Sequence, residues 1–273
     1  MNFTKRKFTD QMGRTIELSA VPKRIISLVP SQTELLFYLG LKEEIVGITK
    51  FCIHPVTQIN NLCHTKIGGT KKINFEKIKY LNPDLIIANK EENEERQIRE
   101  LMKNYTVWMS DIKTLKDSYD MILKVGEIVN KSMEAEELNL KIQKQFSNFN
   151  YQLSIINYQF RSVAYFIWRN PYMVAGSDTF INHLLELCGF KNVFAKTKNR
   201  YPEITINELK RVHPELILLS SEPYPFKEKH IKEFQDILPS AKIKIVDGEL
   251  FSWYGSRLLH SPAYFSELIK SIK

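Results

Sequence analysis

Two stretches of this chain, 131 positions apart, are copies of one pattern. Asn82-Pro83-Asp84-Leu85-Ile86-Ile87 is answered by His213-Pro214-Glu215-Leu216-Ile217-Leu218. In each copy an amphipathic stretch of helix length runs into Pro plus an acidic residue, then into an apolar run of strand length. The first copy begins at Phe75 and closes on Glu91, the second begins at Asn207 and closes on Glu222. A second echo precedes each: Leu35 to Leu41 with Gly40, and Leu184 to Phe190 with Gly189. The order helix, Gly stop, helix, buried strand, occurring twice, predicts two similar three-layer α/β lobes. Two lobes imply a cleft, and clefts at domain interfaces are where small ligands bind.

Composition narrows the class. The 273 residues are 43% hydrophobic and 26% charged, as in a soluble globular protein. No apolar run approaches membrane-spanning length, so no membrane insertion is expected. Residues Met1 to Ala20 lack an apolar core of the signal-peptide kind, so the chain as given shows no leader. The net charge of +8 invites a nucleic-acid reading. The lysines are scattered among acidic residues, however, and the basic runs at Lys5-Arg6-Lys7 and Lys196 to Arg200 are short. No nucleic-acid partner is expected from that distribution. Cys52, Cys63 and Cys188 form no disulfide framework.

Along the chain, Phe8 to Leu18 reads as a hairpin turning at Gly13. Arg24 to Val29 reads as a buried parallel strand ended by Pro30. Ser31 with Glu34 has capping-box spacing for a helix ending at Gly40. Further strands are expected at Ile45–Thr49, Asp84–Ala88, Thr106–Met109, Ser162–Trp168, Glu215–Ser220 and Ile243–Val246, and a helix at Asp178–Cys188. From Leu115 to about Tyr158 the pattern is helical: one helix to Val129, then a longer one from Ser132 to the Asn150 region. The division is a lobe over 1–130, a backbone-helix connector over 131–158 and a second lobe over 159–273.

Three loops concentrate aromatic and polar residues after strands, where open α/β sheets bind ligands. They are Pro30-Ser31-Gln32 with Phe51 to Pro55; Trp168 to Met173; and Phe251 to Arg257. Exposed aromatics beside cations suit a large, flat, partly anionic ligand. In this reading Trp168, Tyr172, Trp253 and Tyr254 supply stacking surface, and Arg169 and Arg257 pair with ligand oxygens.

At these residues the chain resembles a known family. Arg24 to Leu35, Asn82 to Ala88, Glu95-Arg96-Gln97, Leu187 to Phe194 and the Trp253 loop are similar to the vitamin B12 receptor family, the cobalamin- and siderophore-binding proteins of ABC importers. The similarity spans about residues 21–273. It implies two α/β lobes joined by one long backbone helix, the class III periplasmic-binding-protein-like arrangement. It also implies a monomer with no cofactor of its own and no catalysis, holding a corrinoid or Fe(III) chelate in the inter-lobe cleft. An ABC permease and ATPase complex would be the partner, and the location periplasmic or cell-envelope. Within that frame Pro30, Ser31, Gln32, Phe51, His54, Trp168, Arg169, Tyr172, Trp253, Tyr254 and Arg257 are the expected ligand-binding residues. Phe51 falls where cobalamin receptors place a pocket Tyr, and Trp253 matches a pocket Trp. Thr70 stands where those receptors carry another aromatic. Glu95 falls near the first lobe's docking glutamate. The second lobe has Asn207 at the corresponding place, which moves docking to the adjacent Glu208, or to Glu203.

Two other readings stay open at this level. One is an intracellular corrinoid- or tetrapyrrole-handling protein or enzyme on the same scaffold, which the missing leader favours and which would be cytoplasmic. The other is a direct Zn or Mn receptor. Cys52, His54, Cys63 and His64 offer thiols and imidazoles, yet the spacing of structural zinc sites is absent, which leaves Cys52 and His54 as weak metal candidates. No phosphate loop, nucleophile elbow or metalloprotease motif occurs.

Overall fold

The computed structural model describes residues 5–55, 64–155 and 161–272. Its helices and strands divide into two units. One comprises Met1–Ile112, Lys116–Lys141 and Tyr254–Arg257; the other comprises Lys113–Leu115, Ile142–Trp253 and Leu258–Lys273.

The first unit opens on a hairpin of β1 (Arg6–Thr9) and β2 (Thr15–Leu18). Its turn is built by Asp10, whose buried carboxylate accepts the backbone N–H groups of Met12 and Arg14, both at 2.9 Å. Five strands follow in the order β5-β4-β3-β6-β7, every neighbouring pair parallel. They are β3 (Ile25–Ser27), β4 (Ile45–Ile48), β5 (Thr65–Lys66), β6 (Leu85–Asn89) and β7 (Val107–Ser110). All five residues of β6 are buried, as a central parallel strand covered on both faces requires. Helices α1 (Pro30–Tyr38), α2 (Phe75–Leu81) and α3 (Glu95–Leu101) link these strands.

Helix α1 starts differently from the expected capping box. Val29 is the N-cap and no side chain caps it, because Pro30 takes the first turn, where its fixed φ suits a helix and its missing N–H costs nothing. Ser31 is thereby drawn into the helix, and Glu34 is released for another partner. The C-terminal stop is as expected. Gly40 adopts φ +82°, its N–H bonds the Phe37 carbonyl, and the Leu41 N–H bonds the Leu36 carbonyl.

Helix α4 (Leu115–Ile128) turns tightly into α5 (Ser132–Ile155). A Cβ on Gly126 would lie 2.4 Å from the Ala135 Cβ, so this turn has no room for a side chain. The 24 residues of α5 run on beyond the Asn150 region, and its assignment changes from the first unit to the second after Lys141.

The second unit's sheet runs β11-β9-β8-β12-β13, with β10 also paired to β8. Strands β8 (Arg161–Trp168), β12 (Leu216–Ser220), β13 (Lys242–Val246) and β10 (Phe190–Asn192) are parallel. Strands β9 (Tyr172–Val174) and β11 (Glu203–Ile204) run antiparallel at one edge, so Tyr172, read from sequence as a loop residue, lies in a strand. Helices α6 (Phe180–Leu187), α7 (Ile206–Val212), α8 (Glu228–Ile237), α9 (Gly248–Ser252) and α10 (Ser261–Ile272) complete the unit.

The repeat is visible in the hydrogen bonds. Asn82 and His213 end α2 and α7 with positive φ, 40° and 45°. The acidic residue after each proline then anchors the start of the neighbouring central strand. Asp84 accepts the N–H groups of Lys23 and Arg24 at 2.8 and 3.0 Å, just ahead of β3. Glu215 accepts the N–H and hydroxyl of Ser162 at 2.8 and 3.0 Å, at the start of β8. Those bonds hold the Glu215 carboxyl below the usual carboxylate range.

Candidate functional site

In the first unit, the carboxyl ends of β3, β6 and β7 carry a buried polar network under the start of α1. Gln32 is 1% exposed, and its Nε2 donates to Ser110 Oγ at 2.6 Å. Asn89 Nδ2 donates to the same hydroxyl at 3.0 Å, while Asn89 Oδ1 accepts the N–H groups of Glu91 and Glu92. Ser31 is buried as well. The phenol of Tyr254 is buried against Ser31 and Ser110, and burial pushes its pKa well up. Arg257 donates from both Nε and Nη2 to Glu34, at 3.1 and 2.7 Å. The segment Tyr254–Arg257 thus binds to α1 through a bidentate pair and a buried phenol.

Phe51 is half exposed, at 51%, with the Lys50 ammonium 4.8 Å from its ring centroid. Cys52 is turned inward, 3.1 Å from the Thr33 hydroxyl and 3.2 Å from that of Thr49. Burial raises its thiol pKa, which works against thiolate ligation. His54 is half-buried. His64 Nδ1 bonds the Ile45 carbonyl at 2.9 Å and must be the donor, since the carbonyl only accepts. Cys63 lies outside the described residues. Among the described residues no group of three or more His, Cys, Asp or Glu side chains stands close enough to hold a metal ion.

In the second unit, Trp168 ends β8 at 39% exposure, edge-to-face with Tyr224 at 5.7 Å. Arg169, expected to reach for ligand oxygens, donates Nε to both oxygens of Glu233 on α8, at 3.0 and 2.9 Å. The Tyr172 hydroxyl donates to the same carboxylate. Burial acts against the charged form of Glu233, but the hydrogen bonds from Arg169 and Tyr172 outweigh it and hold the carboxyl below its ordinary range. Burial and that same hydrogen bond push the Tyr172 phenol up to about 12. Trp253 is only 7% exposed and donates Nε1–H to Glu222 Oε1 at 2.8 Å, an oxygen that also accepts from Ser252.

Of the aromatics expected to be exposed, Phe51 and Trp168 are, Tyr172 is half-buried, and Trp253 and Tyr254 are buried. The last two differ because the Trp253 N–H finds an internal acceptor in Glu222, and the Tyr254 phenol is enclosed beside Ser31 and Ser110. Both arginines are held by carboxylates distant in sequence, which pattern reading does not pair.

Sequence reasoning passed over Glu222, Glu233 and the aromatic group behind Trp168. His230, 3% exposed, packs edge-on against Tyr224 and Phe226. Its Nδ1 accepts the Lys227 N–H at 2.8 Å, so Nε2 carries the proton and faces the Tyr224 hydroxyl at 3.3 Å. The spacing of aromatics and histidine over 224–234 was the signal for this cluster.

The two docking candidates differ in role. Glu95 opens α3, and its Oε1 pairs with Arg99 one turn on, at an exposed surface. Glu208 accepts the N–H and hydroxyl of Thr205 at 2.7 and 2.9 Å, closing a capping box at the start of α7. The spacing Thr205-x-x-Glu208 announces that box in sequence. Glu203 is exposed in β11. No helix of the described residues is long and apolar enough to cross a membrane.

Comparison with known proteins gives this geometry its context. A vitamin B12-binding protein of Pectobacterium carotovorum is 24% identical over 241 residues, covering 88% of this chain and 86% of that protein. The crystal structure of the periplasmic vitamin B12-binding protein of Vibrio cholerae superposes with a TM-score of 0.79 at 22% identity, over 92% of this chain and 98% of that one. An ABC-type Fe3+-hydroxamate transport system structure from Saccharomonospora viridis gives 0.75 at 17% identity, over 96% and 98%. These likenesses show the class III binding-protein fold, two α/β halves joined by one long helix. The periplasmic binding protein family matches residues 25–240, from the first central strand past the second copy of the repeat, and this chain belongs to it.

Proposed function

We propose that this chain captures a metal chelate, a corrinoid in the first place and an Fe(III)-siderophore in the second, without altering it, and delivers it to an ABC importer at the cell envelope. Membership of the periplasmic binding protein family over residues 25–240 carries the reading. The B12-binding relative, alignable over 88% of the chain, supports the corrinoid choice. The aromatics left exposed at carboxyl ends of parallel strands, Phe51 and Trp168, suit a large flat ligand. In this reading Trp168 stacks on the ligand, and Arg169 and Tyr172 stand beside it with Glu233 to orient them. Pro30, Ser31, Gln32 and His54 are the candidates of the first unit, with Tyr254 and Arg257 as their buried support; Trp253, in the second unit, is held by Glu222. Glu95 and Glu208 are the docking carboxylates.

Titration with cyanocobalamin and with an Fe(III)-hydroxamate, followed by calorimetry and Trp fluorescence, tests it. Trp108 is fully buried and Trp253 nearly so, which leaves Trp168 as the reporter. Quenching that disappears in Trp168→Phe, together with binding heat, is expected. No heat from either ligand up to high micromolar concentration would sink the proposal.

A further inference from the structure

The Glu95-Arg96-Gln97 sequence enters the docking reading through Glu95 alone. Gln97 does something else. Half-buried on the same helix, it grips the loop 68–74 with both ends of its amide. Oε1 accepts the Ile73 N–H at 2.9 Å, and Nε2 donates to the Lys71 carbonyl at 2.7 Å. Asn93, 5% exposed and just ahead of the helix, donates Nδ2 to the Thr70 carbonyl at 3.1 Å and to the Leu28 carbonyl at 3.2 Å. The Lys71 ammonium reaches back to the Glu91 carbonyl.

The loop is narrow in conformation. Gly69 N–H bonds the Lys72 carbonyl at 2.8 Å, and Gly68 bridges Ile73. Gly68 has φ +110°, and a Cβ there would lie 2.4 Å from the Lys72 carbonyl, so only Gly fits. On another side the loop meets the exposed aromatic: a Cβ on Gly69 would lie 3.2 Å from Phe51 Cε2. Water could satisfy loop peptide groups equally well at a half-exposed surface. Side-chain partners add position, because they tie the loop to α3.

We infer that Gln97, supported by Asn93, is a positioning residue of the chelate site, holding loop 68–74 beside Phe51 and tying that edge of the site to the helix that bears Glu95. The inference rests on the chelate-receptor reading for its ligand half. Its loop half stands on the hydrogen bonds alone.

The test uses the full chain and three forms: wild type, Gln97→Ala, and Gln97→Glu, which keeps an acceptor for the Ile73 N–H. Hydrogen exchange in ligand-free protein should show the Ile73 amide exchanging about tenfold faster in Gln97→Ala, the scale of one net hydrogen bond, and near the wild-type rate in Gln97→Glu. Amides of Leu85–Asn89 should not change. Calorimetry with cyanocobalamin and with an Fe(III)-hydroxamate should show Gln97→Ala weakening about tenfold for the ligand the wild type prefers, and by a different factor for the other. A change in that ratio is what a purely structural role would not produce. Unchanged Ile73 exchange overturns the inference, as does faster exchange with affinity unaltered. Wild type that binds neither probe overturns the chelate reading and the ligand half with it, while the exchange result still decides the loop half.

Discussion

Arg257 illustrates how much a single residue depends on what folding brings to it. Its partner Glu34 is 223 positions away, and the pair occupies a side-chain environment only 14% and 18% exposed. The guanidinium was recognisable in sequence as a charged group beside aromatics; its bidentate carboxylate was not, because a sequence separation of that length leaves no local trace. Glu222 is a similar case and makes a prediction. Glu222→Ala removes the acceptor for Trp253 Nε1–H and the Ser252 hydroxyl and should destabilise the fold by about 1–3 kcal/mol. Glu222→Gln retains an acceptor oxygen and should recover most of the loss, as read by denaturant unfolding. His230 makes a second prediction. Burial, with Lys229 and Arg169 assisting and Glu233 opposing, lowers its pKa below 6.5 in the folded state. The unfolded chain therefore takes up the proton first as pH falls. The stability from neutral His230 is fully present above pH ~6.5 and is lost progressively below it, towards the depressed folded pKa. The melting temperature should fall between neutral pH and about pH 5, and the slope should flatten in His230→Gln.

At the scale of elements, the same local pattern produced the same structure twice. Pro83-Asp84 and Pro214-Glu215 each follow a positive-φ helix end, and each acidic side chain clamps the start of a neighbouring strand. The Gly40 stop repeats at Gly189, φ +73°. Gly40→Ala should cost about 1–2 kcal/mol, the penalty for an L side chain in the left-handed region, although nothing would crowd the added methyl. Helix α6 depends on the Thr179 hydroxyl, which accepts the Asn182 N–H at 3.0 Å. Thr179→Ala should lower stability by roughly 1–2 kcal/mol in thermal or chemical unfolding. Strand and helix positions were legible because burial imposes periodicity on neighbours in sequence. The first turn of α1 was misread because Ser31 and Glu34 satisfy a spacing rule that Pro30 pre-empts. The strand at Tyr172–Val174 was missed because three residues are too few to show a period.

For the whole molecule, ligand and stability are linked. A chelate that binds only the folded state should raise unfolding free energy by about 2.7 kcal/mol at a hundredfold excess over Kd. A thermal shift that grows with the logarithm of cyanocobalamin concentration is expected, and a flat response would count against the corrinoid assignment. The duplicated α/β plan, the long helix and the family followed from the chain alone, since helix stops, turn residues and buried runs are written in neighbouring positions. The allocation of the site's side chains was settled only by tertiary contacts. Phe51 and Trp168 stay exposed, whereas Trp253 is buried with its N–H paired to Glu222 and Tyr254 is buried beside Ser31 and Ser110. Both arginines are bound to carboxylates, and Gln97 grips a loop more than twenty residues upstream. The reason is physical: backbone conformation responds to local sterics and periodic burial, while a polar side chain's partner depends on which distant groups leave water beside it.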